Sequence, residues 1–86
     1  KDVVYFLKAH EIRTLAITEK AKETVYKKDL SGPMAIVFGS EDTGISKGLL
    51  KIVDDQAKIP MHLEIDSLNV SVACGVVLYE IVRQRS

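Results

Sequence analysis

The residues best suited to chemistry lie in two loops, and the first of these follows an apolar run at residues 34–38. This loop occupies residues 39–44 and reads Gly-Ser-Glu-Asp-Thr-Gly. Its two glycines permit positive φ angles and a close approach of the backbone to a ligand, and Glu41 offers a carboxylate between them. The loop lacks the lysine of a phosphate-binding P-loop, so nucleoside triphosphate binding is disfavoured. A glycine-rich turn with a purely conformational purpose is an equal alternative.

The second loop joins a short β-prone segment to the last helix of the chain. Pro60 ends the segment, and Ser67 and Asn69 bring two polar side chains to a helix start, where backbone N–H groups are free. Ordinary helix capping by Ser67 explains the same residue and is the more common reason for a serine there. Either loop taken alone is therefore weak evidence of function.

The two loops together resemble the second and third motifs of the SpoU-type RNA ribose 2'-O-methyltransferases of the SPOUT superfamily. The first part of the pattern reads Ile-Val-Phe-Gly-Ser-Glu-x-x-Gly-Ile. Further along the chain come Ile-Pro-Met and then Ser-Leu-Asn-Val-Ser-Val-Ala-x-x-x-x-x-Tyr-Glu. The resemblance covers residues 34–83, and the preceding part is similar to the middle region of the family's domain.

This resemblance implies an α/β knot, in which the C-terminal segment threads through a loop to form a deep trefoil. It also implies that the two loops hold S-adenosyl-L-methionine, largely through backbone groups. The family's cofactor-binding positions fall on Gly39, Ile59 and Leu68, with Met61 and Ser67 nearby. The implied activity is methylation of a ribose 2'-hydroxyl in tRNA or rRNA.

The resemblance further implies catalytic roles for Glu41, Asn69 and Ser67. A ribose 2'-hydroxyl is a poor nucleophile at neutral pH, so an enzyme must align it with the methyl donor and ease the loss of its proton. The same hydroxyl distinguishes RNA from DNA, so a site built around it selects RNA.

The chain departs from the family pattern at two points. The family's first motif supplies an asparagine and an arginine for catalysis, and no such segment precedes Lys1; Arg13 follows a helix and is not equated with that arginine. Leu63 stands where relatives often have glycine. We therefore expect residues 1–86 to form a partial domain, the cofactor-binding portion without the opening strands. The alternative function is an inactive, truncated knot domain that serves as a dimerisation or RNA- and cofactor-binding module.

The elements that must position these loops alternate between helix and strand. The order predicts an α/β fold with a mostly parallel sheet and flanking helices. The unbroken apolar run at residues 34–38 predicts a central strand covered on both faces. Ligands in such sheets bind beyond the carboxyl ends of the strands, where both loops begin. The predicted helices span residues 3–10, 46–53 and 67–84, the predicted strands span residues 13–18, 34–38 and 57–59, and residues 19–30 form a short helix or turns.

Composition narrows the class of protein. The 86 residues are 47% hydrophobic and 28% charged, which is typical of a folded domain. No apolar run is long enough to span a membrane, so we expect a cytoplasmic protein. Cys74 is the only cysteine and His10 and His62 have no partners at metal-ligand spacing, so we expect neither a disulfide nor a metal.

Two surfaces are candidates for macromolecular partners. The formal net charge is zero, so RNA would have to be met by local patches, and Lys20, Lys22, Lys27 and Lys28 are more simply a solvated face than a phosphate-binding one. The last helix is expected to build a homodimer, as the family resemblance implies, with packing inside the monomer as the alternative. Its small residues, which permit close approach of another backbone, are Ser71, Ala73, Cys74 and Gly75.

Overall fold

The computed structural model describes residues 2–39, 44–60 and 70–86. Helices and strands alternate along the chain, as the sequence predicts. Three α-helices, three β-strands and one short 3-10 helix occupy the described residues. In chain order they are α1 (Asp2–Ala9), β1 (Arg13–Ile17), the 3-10 helix (Val25–Lys27), β2 (Met34–Phe38), α2 (Lys47–Ile52), β3 (Asp55–Ala57) and α3 (Val70–Arg85).

The strands form one parallel sheet in the order β2-β1-β3. Ile17 at the end of β1 is opposite Phe38 of β2 on one side and Ala57 of β3 on the other. The prediction of a parallel α/β sheet is confirmed. The prediction that residues 34–38 are the central strand is wrong for the described part of the chain, where β1 is central and β2 is an edge strand with partly exposed side chains.

The core lies between the sheet and α3. Leu15, Val25, Leu30, Ala57 and Val77 are almost completely buried and form one cluster. These residues come from β1, the segment around the 3-10 helix, β3 and α3. Burial of each leucine or valine in this cluster stabilises the fold by about 2 kcal/mol. The central strand therefore carries the centre of the core, and α3 covers it.

The third strand differs from its predicted position, whereas the second helix does not. The third strand begins two residues earlier than expected, at Asp55, because pairing with β1 extends over two polar residues that carry no β signal. The carboxylate of Asp55 accepts a hydrogen bond from the Lys28 ammonium group at 3.0 Å, and this ion pair holds the first residue of β3 in place. The predicted helix at residues 46–53 is confirmed, and the Ser46 hydroxyl accepts the N–H of Leu49 at 3.2 Å as its N-cap.

Polar side chains of α3 fasten the helix to the segment before β2. The Gln84 amide accepts the N–H of Leu30 at 2.9 Å and donates to the carbonyl of Lys28 at 2.9 Å. It also donates to the buried carboxylate of Glu80 at 2.8 Å. Arg85 donates to the carbonyl oxygens of Leu30 and Gly32. We call Glu80, Gln84 and Arg85, with the backbone of residues 28–32, the helix clasp.

The charge of Glu80 is well compensated. Arg83 donates two hydrogen bonds of 2.7 Å to its carboxylate. These bonds, with that from Gln84, lower the pKa of Glu80 to about 2. The carboxylate is therefore ionised throughout the physiological range and stays an acceptor for Gln84. The clasp does not depend on pH near neutrality.

A second polar tie joins the starts of β1 and β3. Thr14 is completely buried, and both its N–H and its hydroxyl donate to the Asp54 carboxylate, at 2.8 and 3.0 Å. The Asp54 N–H returns a bond to the Thr14 hydroxyl at 3.0 Å. Lys8 of α1 adds an ion pair to Asp54 at 3.1 Å. The hydrogen bond from the Thr14 N–H is the main cause that lowers the pKa of Asp54. The hydrogen bonds from the side chains of Lys8 and Thr14 lower this pKa further.

Replacing Asp54 with alanine is expected to lower the free energy of unfolding at pH 7 by about 2 kcal/mol, because two buried donors of Thr14 lose a charged acceptor. Since the pKa of Asp54 is lowered on folding, its contribution is full above the ordinary carboxyl pKa and is lost as pH falls below about 4. Urea unfolding at pH 7 and in acid measures both effects. The exposed Glu19→Ala variant is the control, and an equal loss in that variant would contradict the assignment.

Candidate functional site

Two loops leave the carboxyl edge of the sheet on either side of β1. The β1–β2 register ends at Phe38 and the β1–β3 register ends at Ala57, both opposite Ile17. Gly39 and Ile59 therefore lie just beyond the ladder, and their main-chain groups are not part of it. Since neighbouring strands are about 4.8 Å apart, the two exits are separated by about 10 Å. The sequence-predicted loops thus begin at the same edge.

Gly44 and Ile45 lie directly against Gly39. A Cβ atom added at Gly39 would lie 2.3 Å from the carbonyl carbon of Gly44 and 2.5 Å from the nitrogen of Ile45. Such distances are shorter than any real Cβ contact, so position 39 requires glycine. Gly44 has φ of 68°, a left-handed conformation that glycine adopts at little cost. The segment therefore leaves β2 and returns to within contact of its own start before α2 begins.

The second exit is held by a collar, which we define as residues 18–25. The N–H of Thr18 donates to the carbonyl of Ala57 at 2.9 Å. Further on, the N–H of Lys58 donates to the carbonyl of Glu23, and the N–H of Val25 donates to the carbonyl of Lys58, each at 2.9 Å. The collar thus bonds to β3 and to the residue just before Ile59. Main-chain bonds on this path fix where the second loop begins.

The collar has its own internal order. The N–H of Lys20 donates to the hydroxyl of Thr18 at 3.2 Å, and the N–H of Ala21 donates to the Thr18 carbonyl at 3.1 Å. Ala21 is buried, which turns its polar neighbours outward. The sequence analysis did not predict that this segment lies beside the second exit. The signal was present in Thr18, because a threonine directly after a strand commonly bonds the backbone two residues on.

The sequence-predicted site residues are divided between described and undescribed parts of the chain. Gly39 and Ile59 lie at the carboxyl edge, as set out above. The other predicted cofactor or catalytic residues lie outside the described residues, and so do His62 and Leu63. Those predicted site residues are Glu41, Met61, Ser67, Leu68 and Asn69. Their roles stay predictions.

The remaining candidates fall away from this edge. His10 bonds the carbonyl of Phe6 at 2.9 Å and its ring lies 4.2 Å from that of Phe6, so it belongs to the end of α1. Arg13 donates to the carbonyl of Asp29 at the amino edge, opposite the two loops. Within residues 2–39, 44–60 and 70–86, no group of three His, Cys, Asp or Glu side chains is arranged to hold a metal ion. No described helix combines the length and apolarity needed to cross a bilayer.

A groove of about 540 Å³ lies along the flank of α3. Its lining comes from α3 and the 3-10 helix and includes neither Gly39 nor Ile59. It is therefore separate from the carboxyl-edge loops. The lining residues are Tyr26, Val76, Tyr79, Glu80 and Arg83.

Comparison with known proteins supplies an independent view of these loops. The sequence profile of the SpoU rRNA Methylase family matches residues 1–79. The chain is 45% identical over 76 residues to the 23S rRNA (guanosine-2'-O-)-methyltransferase RlmB of Haemophilus influenzae, covering 88% of this chain and 31% of that protein. The chain thus spans about a third of the length of this relative.

Solved structures agree in fold. A crystal structure of an RNA 2'-O ribose methyltransferase matches with a TM-score of 0.89 and 37% identity, over 98% of this chain and 33% of that one. The SpoU methyltransferase AviRb of Streptomyces viridochromogenes, in complex with the cofactor AdoMet, matches with a TM-score of 0.88 and 29% identity, over 98% of this chain and 35% of that one.

Replacing Gly39 with alanine is expected to destabilise the protein by about 3 kcal/mol, because the added methyl overlaps the backbone of Gly44 and Ile45. Thermal and urea unfolding measure the loss. Gly75→Ala is the matched control, since no atom lies within 4 Å of its added Cβ. In that helical position alanine should be neutral or stabilising by up to about 1 kcal/mol. An unchanged stability in the Gly39 variant would show that the loop does not close as described.

Proposed function

Because the chain belongs to the SpoU rRNA Methylase family, we propose that it is the cofactor-binding portion of an S-adenosylmethionine-dependent RNA ribose 2'-O-methyltransferase. The observation that carries this proposal is the exit of both motif loops, at Gly39 and Ile59, from one edge of a parallel sheet. A binding site at the carboxyl ends of parallel strands is the usual arrangement in such folds. The Haemophilus influenzae relative is named a 23S rRNA (guanosine-2'-O-)-methyltransferase, which supports the same activity.

The described residues fit S-adenosylmethionine. Main-chain amides and carbonyls beyond the ladder suit the polar edges of an adenine ring, and Gly39 keeps the first loop free of a side chain at its tightest point. Gly39, Ile59 and Leu68 would hold the cofactor through backbone groups, with Met61 and Ser67 beside it. The AviRb structure with bound AdoMet, which shares this fold, supports the assignment.

The bound cofactor would supply an electrophilic sulfonium methyl group. The protein must then place the ribose 2'-hydroxyl in line with that methyl, since alignment is the larger part of the barrier for a weak nucleophile. We assign Asn69 and Ser67 to this task as hydrogen-bonding groups that orient the hydroxyl, and Glu41 as the carboxylate that receives its proton.

Ribosomal RNA is the first substrate to test, because the Haemophilus influenzae relative is named for 23S rRNA; tRNA is the second. A substrate of either kind would place the protein in the cytoplasm. We also propose that residues 1–86 form part of a SPOUT domain and that its C-terminal segment is knotted. The fold match over 98% of the chain to an RNA 2'-O ribose methyltransferase supports the domain assignment.

A binding module without turnover is the second candidate for residues 1–86 taken by themselves, because their arginines are engaged within the fold. The chain has only Arg13, Arg83 and Arg85. Arg13 and Arg85 bond to the segment before β2, and Arg83 is paired with Glu80, so these guanidinium groups are engaged at the amino edge or along α3. A transferase would need its catalytic arginine from outside these residues.

The purified protein is expected to bind S-adenosylmethionine by calorimetry and to transfer its methyl group to unmodified ribosomal RNA. Transfer is read as alkali-resistant, methyl-labelled dinucleotides, since a 2'-O-methyl group blocks cleavage at that position. Binding without transfer to either RNA class would favour the module. Absence of binding at millimolar cofactor would end the proposal.

The role of Asn69 can be separated from cofactor binding. In a variant with alanine at this position, methyl transfer should fall by about a hundredfold, as for loss of a group that positions the reacting hydroxyl. Cofactor affinity should change by much less. Equal losses in affinity and transfer would contradict a catalytic role. Single-turnover assays with saturating cofactor separate the two quantities.

We also propose that α3 forms a homodimer interface. The inner side of the helix carries Ala73, Val77 and the clasp residues, whereas large apolar side chains on other faces are exposed. The exposed fractions are 52% for Leu78, 79% for Tyr79 and 57% for Val82. Exposed apolar residues at this density are typical of an interaction surface.

The double variant Leu78→Glu, Val82→Glu is expected to convert a dimer to a monomer, because two charges would be buried without partners. Sedimentation velocity measures the mass in solution. Lys51→Glu on α2 controls for the change in net charge. A monomeric parent protein, or a dimer that survives both substitutions, would show that α3 is not the interface.

A further inference from the structure

We propose that Lys20 and Lys22 of the collar bind phosphates of the RNA backbone beside the methyl-transfer site. This inference rests on the proposed function, because it assumes an RNA substrate at the carboxyl edge. It goes beyond that function by assigning a docking point to residues outside the two motif loops. The ligand chemistry is that of a polyanionic, sequence-independent backbone.

The position of the two lysines is set by the order of the sheet. The collar follows β1, the central strand, so it starts between the exits at Gly39 and Ile59. It then passes along Lys58, one residue before Ile59. An RNA strand that presents a ribose to the two loops must therefore cross near the collar.

The collar is ordered before any RNA arrives. Bonds to Ala57 and Lys58 hold its two ends, and the turn at Thr18 fixes the direction of the chain between them. Buried Ala21 separates Lys20 from Lys22, and both lysines are exposed. A fixed backbone lowers the entropic cost of binding, because only the lysine side chains need to be immobilised.

The charges of these lysines are also available. Other lysines are used within the fold: Lys8 pairs with Asp54, and Lys28 pairs with Glu23 and Asp55. Neither Lys20 nor Lys22 makes an ion pair with a described residue. The collar also carries two carboxylates, those of Glu19 and Glu23, and Glu23 pairs with Lys28. Lys20 and Lys22 are therefore free to pair with a phosphate, although the net charge of the chain is zero.

The test measures how salt affects binding of a short fluorescein-labelled single-stranded RNA, by fluorescence anisotropy without cofactor. Each lost phosphate contact should reduce the slope of log affinity against log salt by about 0.7, which corresponds to about a fivefold weaker complex near 0.1 M salt. Lys20→Ala and Lys22→Ala should each show this change. Lys22→Arg should keep the parent slope, because any fixed cation can meet a phosphate.

Lys51→Ala is the matched control, since Lys51 is an exposed lysine in the last turn of α2. That helix leads back to the amino edge of the sheet. The salt dependence of RNA binding by the Lys51→Ala variant should therefore equal that of the parent protein. An unchanged slope in both collar variants, or a weaker complex with an unchanged slope, would overturn the inference. Normal cofactor binding in the same variants would show that the proposed function stands even then. Absence of cofactor binding in the parent protein would count against the proposed function alone.

Discussion

Parallel pairing of β1 with both of its neighbours is the constraint on which the rest of the structure depends. Every strand in a parallel sheet must begin at the same edge, so each connection returns the chain to that edge. The clasp and the tie between Thr14 and Asp54 lie at the amino edge. Gly39, Ile59 and the collar lie at the carboxyl edge. These two polar ties are therefore distant from the candidate site.

At the carboxyl edge the geometry is carried mainly by the backbone. The collar holds the end of β3 through N–H and C=O groups, and the first loop turns back against Gly39 without any side chain at that point. A site of this kind tolerates changes of side chain more readily than changes of backbone shape. It also suits a ligand recognised by main-chain amides. Glycine at position 39 is needed for packing within the loop itself, whatever the loop binds.

Local patterns predicted the elements that are determined locally. Residues 34–38 form a strand and Ser46 caps α2, because an apolar run and a capping hydroxyl act over a few residues. The start of β3 was missed because Asp55 is placed by β1 and Lys28, which are distant in sequence. Of the site, Gly39 and Ile59 were predicted through resemblance to a family. The collar was missed because its polar residues look like an ordinary turn until the fold brings them to Lys58.

The helix clasp has a consequence for the order of folding. It joins positions 53 to 56 residues apart, whereas β1 and β2 pair between neighbouring segments of the chain. Closing the longer loop costs more entropy. We therefore expect β1 and β2 to pair first and the hydrogen bonds of the helix clasp to form afterwards. Contacts made after the transition state govern the rate of unfolding and leave the rate of folding almost unchanged. The hydrogen bonds of Gln84 would then slow unfolding and so set the lifetime of the native state.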